Sequence, residues 1–354
     1  MSRYFSKKHA ALAAYTPGEQ PRDMKYIKLN TNESPFPPSP KAQAYAAEAA
    51  QSLQLYSDPE CIALREKLAV LCGVEADEIL PTNGSDEILN FAFMAFCDAD
   101  TPAIFPDISY GFYKVFAQLN GVPYRELPLT ADYSVDPEDY IGAGGTIFIA
   151  NPNAPTGKAL PLSEIEKIIA GNPDNIVVID EAYVDFGGES CIPLIKKYDN
   201  LLVTQTFSKS RSMAGARLGF GVGCKNLIAD LNTMKYSTNP YNVNRMTMAA
   251  GLGTLEDEAY TQANIRAIVE NREWTAAALE ALGFEVMPSC TNFIFARHTR
   301  LDGKQTYLDL KARGILVRHF DKPRLGDYNR ITIGSRTEMA AFVETIQALL
   351  EEAK

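Results

Sequence analysis

The sequence predicts an α/β protein with a large domain, built on a mostly parallel sheet flanked by helices, and a smaller α+β domain. Short apolar strands alternate with helical segments up to about residue 255, which is typical of parallel sheets covered by helices on both faces. Beyond that point a long helical pattern leads into shorter strands with helices between them. We therefore expect a large domain at residues 41–255, a small domain at residues 256–354, and an N-terminal arm at residues 1–40 that packs beside the small domain.

The first third of the chain shows clear boundaries between its elements. Residues 1–40 are polar and rich in proline, which favours an arm or loop over core. A helical pattern covers residues 41–53, and a second, amphipathic one ends at Gly73, a common helix stop. A short strand then turns at Gly84 into a helix that begins at Ser85. Because this helix is apolar on nearly every side, we expect it to be buried.

Four polar motifs follow short strands of the large domain. They are NGSDE at 83–87, NPNAPTG at 151–157, DEAY at 180–183 and TFSK at 206–209. Three of the strands are apolar runs, at 146–150, 176–179 and 201–203. Between the first two of these runs, Ser163 and Glu166 form a capping-box pattern that predicts a helix. Open α/β sheets bind ligands at the carboxyl ends of their strands, so we expect the four motifs to share one site.

Composition and charge argue against several classes of function. A net charge of −10 over 354 residues argues against nucleic acid or an anionic membrane as the main partner. Six scattered cysteines without a CxxC pair, and three histidines far apart, argue against a disulfide framework and a metal site. No segment has the pattern of a secretory signal or a membrane span, so we expect reduced thiols and a cytoplasmic location.

The stretch from residue 201 to residue 221 carries the most chemical information. An apolar strand leads to Thr206, Ser208 and Lys209, and Arg217 follows eight residues later. A lysine in a dry site can lose its proton and attack a carbonyl to form a Schiff base. Hydroxyls and a guanidinium are phosphate ligands. An aldehyde that carries a phosphate fits both halves, and pyridoxal phosphate (PLP) is the common one; alone, Lys209 would be a solvated loop lysine.

Other strand ends supply groups that fit such a cofactor, although each has an ordinary structural explanation when taken alone. Asp180 could pair with a pyridinium N–H and Tyr183 with a phenolic oxygen. The same two residues could simply cap a helix. Gly84 and Ser85 open a helix whose first N–H groups suit a phosphate, or they form an ordinary N-cap.

Three further residues are candidates on similar grounds. Tyr110 follows a strand and could stack on a flat ring, or belong to the core. Asn153 offers an amide to a ligand oxygen, or only completes a turn. Arg330 opens an apolar run, and its forked guanidinium suits a carboxylate or phosphate, whereas at the surface it would form a weak ion pair.

Together these motifs resemble those of the fold-type I PLP-dependent aminotransferases. TFSKSRSMAGARLGFG, DEAY and NPNAPTG carry that resemblance, while LNTNESPF, LYSDPE, NGSDE, PYNVN and RITIGSR resemble the histidinol-phosphate aminotransferase branch. The likeness runs in the family's order over nearly the whole chain. It implies the fold-type I architecture, PLP as cofactor, and a homodimer in which the N-terminal arm also packs against the partner subunit.

The resemblance also implies a role for each matching residue. Lys209 would hold PLP and shuttle a proton, Asp180 would pair with the pyridine nitrogen, and Tyr183 would contact the phenolic oxygen. The other expected cofactor contacts are Gly84, Ser85, Asp86, Tyr110, Asn153, Thr206, Ser208 and Arg217, with Tyr56 supplied by the partner subunit. Arg330 would bind the carboxylate of glutamate or 2-oxoglutarate and the phosphate of histidinol phosphate. The remaining expected substrate-binding residues are Tyr15, Asn32 and Arg318.

One position departs from the family pattern. Asparagine usually stands immediately before Pro-Thr-Gly, and here that residue is Ala154. Asn153 is therefore the expected contact to the phenolic oxygen, although a shift of one residue turns the side chain in another direction.

The function that the resemblance implies is ping-pong transamination between histidinol phosphate and 2-oxoglutarate through Lys209, in histidine biosynthesis. The scaffold would also suit an aromatic amino-acid aminotransferase or a phosphothreonine decarboxylase, because Arg330 can serve a carboxylate or a phosphate. A non-catalytic PLP-binding module is an alternative of another class. Such modules usually carry a DNA-binding segment. The 40 residues before the first predicted helix leave no room for one, and the chain is acidic throughout.

Overall fold

The computed structural model describes residues 2–10 and 12–353, which form a large sheet with helices on both faces and a smaller antiparallel sheet. The α-helices of these residues are α1 (Pro40–Ala49), α2 (Ile62–Cys72), α3 (Ser85–Phe96), α4 (Phe112–Asn120), α5 (Leu162–Ala170), α6 (Lys225–Thr238), α7 (Arg245–Leu255), α8 (Glu258–Ala281), α9 (Gly303–Ala312) and α10 (Arg336–Glu352). The strands are β1 (Ile27–Lys28), β2 (Ile79–Thr82), β3 (Ala103–Pro106), β4 (Tyr124–Leu127), β5 (Thr146–Ala150), β6 (Val177–Asp180), β7 (Leu201–Thr206), β8 (Gly219–Gly223), β9 (Phe284–Val286), β10 (Phe293–His298), β11 (Ile315–Leu316), β12 (Arg318–His319) and β13 (Asn329–Thr332).

The large sheet has the strand order β2-β8-β7-β6-β5-β3-β4. β8 runs antiparallel to both of its neighbours, and the other pairings are parallel. The predicted α/β class with a mostly parallel sheet is therefore confirmed. Because β2, β5, β6 and β7 point the same way, their carboxyl ends and the polar motifs that follow them lie along one edge.

The core lies on both faces of the large sheet. Its central strands β5, β6 and β7 are buried over almost their whole length, as their continuous apolar sequences predict. Helix α3 packs on one face through Ile88, Leu89 and Phe93, which have no exposed surface, so the prediction of a buried helix is confirmed. A separate apolar cluster fills the space around the small sheet, whose order is β12-β13-β10-β9.

Two strands of the large sheet were not predicted, and one is important for the site. β8 is glycine-rich, and glycine has a low strand propensity, so the sequence GFGVG does not show the usual signal. A Cβ added at Gly219 would lie 2.5 Å from the backbone nitrogen of Ser85. The glycine therefore lets the first turn of α3 approach the sheet closely. The other unpredicted strand, β4, is one of the two edge strands of the sheet, and two of its four residues are exposed.

The predicted cap of α5 was wrong. The helix begins at Leu162 with Pro161 at the N-cap, so Ser163 already lies inside the first turn. Proline is favoured near a helix start because its missing N–H costs nothing there, and this preference outweighs the capping-box pattern.

The segment before α1 is joined to the small sheet region. β1 pairs with β11 in parallel register, Ile27 opposite Ile315 and Lys28 opposite Leu316. Leu29 and Asn30, which follow β1, are buried. Within residues 2–10 and 12–353, no helix combines the length and the apolar character needed to cross a membrane.

Candidate active site

A cavity of about 240 Å³ lies at the carboxyl edge of the large sheet. Side chains from all four polar motifs or their immediate neighbours line it, together with Thr31 and Glu33 from the N-terminal segment. The predicted site residues among its lining are Ser85, Asp86, Tyr110, Asp180, Tyr183, Thr206, Ser208, Lys209 and Arg217. The structure therefore brings together nine of the residues that the sequence suggested.

Lys209 lies three residues after the end of β7 and is half-buried in the wall of this cavity. Its Nζ atom lies 5.7 Å from the centre of the Tyr183 ring. The two residues after Lys209 anchor the loop. Ser210 hydrogen-bonds to Asp185, and Arg211 Nη1 lies 2.9 Å from Glu258 Oε2 at the start of α8. The amine is therefore presented to the cavity from a fixed backbone.

Asp180, at the end of β6, has one carboxylate oxygen without a partner. The hydroxyl of Tyr113 donates to Asp180 Oδ2 over 3.1 Å, whereas Oδ1 is buried and accepts no hydrogen bond from the residues that the structure describes. Burial raises the pKa of the Asp180 carboxyl to about 7. An unpaired buried acceptor is costly, so a cationic N–H donor placed at Oδ1 would be strongly stabilised.

Tyr113 was missed by the sequence reasoning. It is completely buried on α4, three residues after Tyr110, and its ring meets the Tyr110 ring edge-on at 5.7 Å. The only signal was its place in the sequence: Tyr113 lies in the first turn of α4, three residues after Tyr110, which precedes the helix. The sequence does not indicate whether Tyr110 or Tyr113 reaches Asp180.

The opposite end of the cavity has the character of a phosphate site. Thr206 Oγ1 donates to Ser208 Oγ over 2.9 Å, and Arg217 Nη1 lies 3.4 Å from the same Ser208 oxygen. Gly84 has a φ of +79°, which favours glycine, and a Cβ there would lie 2.6 Å from Arg217 Nη2, so another residue would push the guanidinium aside. The first turn of α3, which begins at Ser85, points its free N–H groups at the same place.

Asp86 connects the two sides of the cavity. Its Oδ1 accepts a 2.6 Å hydrogen bond from the Tyr110 hydroxyl, and its Oδ2 lies 2.8 Å from Arg217 Nη2. The carboxylate therefore fixes the ring of Tyr110 and the guanidinium of Arg217 relative to one another. Burial and the nearby Asp86 charge hold the pKa of the Tyr110 hydroxyl well above its usual range, so the hydroxyl stays a donor.

Asn153 is placed differently from the expectation. Its Oδ1 accepts from Ser109 Oγ over 2.8 Å, and its Nδ2 donates to the Ile108 carbonyl over 3.0 Å. The amide is thus used within the turn, and Ala154 lines the cavity in its place. The reason is the shift of one residue, which turns the Asn153 side chain away from the cavity.

Asn32 also occupies an unexpected position. It was expected at the substrate end, but its Nδ2 donates to the Tyr183 hydroxyl over 2.9 Å, and its side chain is 2% exposed. The residue therefore lies behind Tyr183.

Of the other expected substrate residues, Arg330 and Arg318 contact the N-terminal segment from the small sheet, whereas Tyr15 contacts α4. Arg330 Nη2 donates to the Asn30 carbonyl over 3.1 Å, and its buried Nε has no partner among the described residues. Arg318 lies opposite Arg330 in the pairing of β12 with β13 and contacts the backbone carbonyl of Thr16 at 3.4 Å. Tyr15 packs against Phe112, their ring centres 4.2 Å apart.

Tyr56 does not reach this cavity. It is 78% exposed and stacks on Tyr241 with ring centres 4.4 Å apart. A larger cavity, of about 420 Å³, opens nearby between α1, α2 and α7. It contains none of the strand-end residues, so it is not the candidate active site.

Comparison with known proteins identifies the family. The model of the family "Aminotransferase class I and II" matches residues 24–346. The chain belongs to the class I and II aminotransferases. It is 49% identical to the histidinol-phosphate aminotransferase of Marinomonas sp. (strain MWYL1), over 99% of this chain and 100% of that protein. It is 48% identical to the enzyme of the same name from Aromatoleum aromaticum, with the same coverage.

A solved structure supports the fold of this aminotransferase. The histidinol-phosphate aminotransferase of Sinorhizobium meliloti, crystallised in complex with PLP, superposes with a TM-score of 0.83, at 24% identity over 92% of each chain. The fold-type I architecture predicted from the sequence is therefore confirmed.

The residues of this aminotransferase fit PLP, the cofactor of its family. The unpaired Asp180 Oδ1 offers an acceptor for a pyridinium N–H. Gly84, Ser208 and Arg217 leave a cradle for a phosphate, and Lys209 offers its amine between these two ends. All three groups line one cavity, and their chemistry suits the ring nitrogen, the phosphate and the aldehyde of the cofactor.

Proposed function

We propose that this aminotransferase transfers the amino group between histidinol phosphate and 2-oxoglutarate, with PLP attached to Lys209. The observation that carries the proposal is the cavity in which Lys209, the unpaired oxygen of Asp180 and the Arg217 cradle converge. The near-full-length similarity to histidinol-phosphate aminotransferases supports the choice of substrate.

Each side chain of this site has a separate proposed role. When bound, PLP supplies an electron sink for the pair of electrons left on the substrate carbon. Asp180 Oδ1 would accept a hydrogen bond from the ring N–H and keep that proton in place. Lys209 Nζ would hold the cofactor and would serve as the general base and acid that takes a proton from the substrate and returns it. The Tyr183 hydroxyl would donate a hydrogen bond to the phenolic oxygen, and Tyr110 would cover the ring.

Arg330 is the proposed anchor for the substrate's anion. The residue is half-buried, its Nε atom is buried and has no partner among the described residues, and its guanidinium packs against the face of the Phe293 ring at 5.2 Å. A buried guanidinium is most strongly stabilised by a carboxylate or phosphate that it can bind with two hydrogen bonds. Arg318 and Tyr15 complete this end of the site in the proposal.

We also propose a homodimer in which Tyr56 reaches the phosphate site of the partner subunit. Leu53, Leu55 and Ile62, which lie within six residues of Tyr56 in the sequence, are all more than half exposed. A patch of this kind is typical of an association surface.

The proposed domain organisation has three parts: residues 1–40 form an arm, residues 41–255 the large domain and residues 256–354 the small domain. All six cysteines are free thiols, which supports a cytoplasmic location.

The first experiment tests the cofactor. The purified protein should show an absorption band in the visible or near-ultraviolet. Borohydride should abolish this band and leave a reduced PLP adduct on Lys209. Lys209→Ala should lose the adduct and turnover, whereas Lys197→Ala, which removes a surface ion pair with Glu166, should keep both. A wild-type protein without a reducible band would refute the proposal.

A substrate panel tests the specificity. We expect amino transfer from histidinol phosphate to 2-oxoglutarate to exceed that from phenylalanine, with no CO₂ released from phosphothreonine. Faster transfer from phenylalanine would indicate an aromatic aminotransferase, and CO₂ release a decarboxylase. A reducible band without any turnover would indicate a non-catalytic module.

Mixed dimers test the shared site. Tyr56→Ala and Lys209→Ala are each expected to lower activity. In a hybrid of the two, the subunit with an intact Lys209 receives Tyr56 from the other, so mixing should restore one complete site per hybrid dimer. Failure of the mixture to exceed the sum of its components, although hybrids form, would contradict the proposed position of Tyr56.

A further inference from the structure

The side of the cavity next to Tyr183 lacks an amide that the family pattern would place there. Ala154 lines the cavity at that position, and the Asn153 amide is occupied by Ser109 and the Ile108 carbonyl. This leaves the Tyr183 hydroxyl to donate to a phenolic oxygen. A tyrosine hydroxyl has one proton, so its direction decides whether that contact forms.

A buried hydrogen-bond chain determines that direction. The backbone N–H of Asn32 donates to Thr332 Oγ1 over 2.9 Å, so the Thr332 hydroxyl proton is free for Asn32 Oδ1, 3.0 Å away. Because Oδ1 is thereby an acceptor, the Asn32 Nδ2 group faces Tyr183 and donates to its oxygen over 2.9 Å. The Tyr183 oxygen accepts this bond, and its own proton is left to point into the cavity.

We propose that Asn32 and Thr332 are positioning residues that hold the Tyr183 hydroxyl as a donor toward the cofactor, in place of the amide missing at residue 154. Both are 2% exposed, so water does not compete for these bonds. Asn32 has a φ of +55°, an uncommon conformation for a residue other than glycine, which the bonds to Thr332 stabilise. The inference rests on the proposed function, because it requires a cofactor in the cavity.

The consequence can be measured without turnover. Negative charge on the phenolic oxygen is greatest after the Lys209-linked chromophore has lost its proton, so a hydrogen bond from Tyr183 lowers the apparent pKa of that chromophore. Thr332→Val removes the hydroxyl that orients Asn32. The freed amide can then turn its oxygen to Tyr183 and accept the tyrosine proton, which withdraws the donor.

The test is a pH titration of the absorption spectrum of the holoenzyme. Thr332→Val and Asn32→Ala should each raise the apparent pKa of the chromophore by roughly one unit. Thr306→Val is the matched control. Its hydroxyl is also buried and donates to the Asp302 carbonyl, but it lies on α9, and it should leave the titration unchanged.

A double variant separates positioning from general loosening of the structure. In a Tyr183→Phe background the hydroxyl is absent, so Thr332→Val should cause no further shift. An equal shift in both backgrounds, or no shift in the wild-type background, would overturn the inference. A wild-type protein that lacks the borohydride-sensitive band would instead refute the proposed function, so the two failures are distinguishable.

Discussion

Replacing Asp180 with asparagine should change how the stability of the cofactor-free protein depends on pH. The Asp180 carboxyl is fully enclosed, and burial raises its pKa from 3.8 to about 7. A carboxyl whose pKa is raised by folding binds its proton more tightly in the native state. Its contribution to the free energy of unfolding therefore falls as the pH rises from about 4 to about 7.

The magnitude follows from linkage. One pKa unit corresponds to about 1.4 kcal/mol, so the ionised carboxylate costs roughly 4 kcal/mol above pH 8, of which roughly 2.5 kcal/mol develops between pH 5 and pH 8. Asparagine removes the titration but keeps an acceptor for the Tyr113 hydroxyl. It also leaves an amide N–H without a partner, which costs about 1–3 kcal/mol at every pH. The cost of the unpaired amide is the same at every pH, so it cancels when the stability difference at pH 5 is compared with that at pH 8. Only the ionisation cost of the wild-type carboxyl remains.

The assay is chemical denaturation of both cofactor-free proteins at pH 5, 6, 7 and 8, followed by circular dichroism at one protein concentration. The stability of Asp180→Asn relative to wild type should rise by roughly 2.5 kcal/mol from pH 5 to pH 8. Asp139→Asn, which removes an exposed carboxylate, is the control and should show no such trend. A difference that stays constant within about 1 kcal/mol would show that Asp180 is not destabilised by burial, and would remove a main reason for assigning it a cationic partner.

Three other substitutions test the remaining contacts of the site. Tyr113→Phe removes the hydrogen bond that favours the ionised Asp180, so it should raise the carboxyl's pKa further and lower stability by roughly 1.5–3 kcal/mol at pH 8 but less at pH 5; equal losses at both pH values would contradict this. Arg217→Lys loses the forked guanidinium, and spectroscopic titration with PLP should show roughly tenfold weaker binding, whereas unchanged binding would place the phosphate elsewhere. Arg330→Lys should raise the KM for glutamate roughly 30-fold, the equivalent of about 2 kcal/mol, with a smaller effect on kcat; a fall in kcat alone would argue against ground-state binding of the substrate anion.

The sequence predicted the large-sheet side of the site well, because each group there follows directly from a strand end. Once the alternation of strands and helices is recognised, the positions of Asp180 and Lys209 at one edge are geometrically required. Gly84 and Arg217 could likewise be found, since Gly84 stands at a predicted helix start and Arg217 follows Lys209 by eight residues. β8 could not, because its glycines serve the close approach of α3 and hide the strand pattern.

The small-sheet side could not be predicted in the same way. The bond between Asn32 and Tyr183 joins residues 151 positions apart, and the bonds to Thr332 span 300 positions. No local pattern indicates which way a buried amide points, so Asn32 and Asn153 were equally plausible ligands by chemistry alone. Their separation into a positioning residue and a turn residue depends on packing that only the folded chain shows.

Strand β13 of the small sheet carries two residues with proposed roles in the site. Arg330 and Thr332 are two residues apart on this strand, so their side chains project from the same face. One is the proposed anchor for the substrate's anion, and the other begins the hydrogen-bond chain that orients the Tyr183 hydroxyl. Any displacement of β13 when Arg330 binds its anion would therefore also move Thr332 relative to Asn32. We therefore predict that substrate binding at Arg330 shifts the chromophore's titration through β13, and that this shift disappears in Thr332→Val.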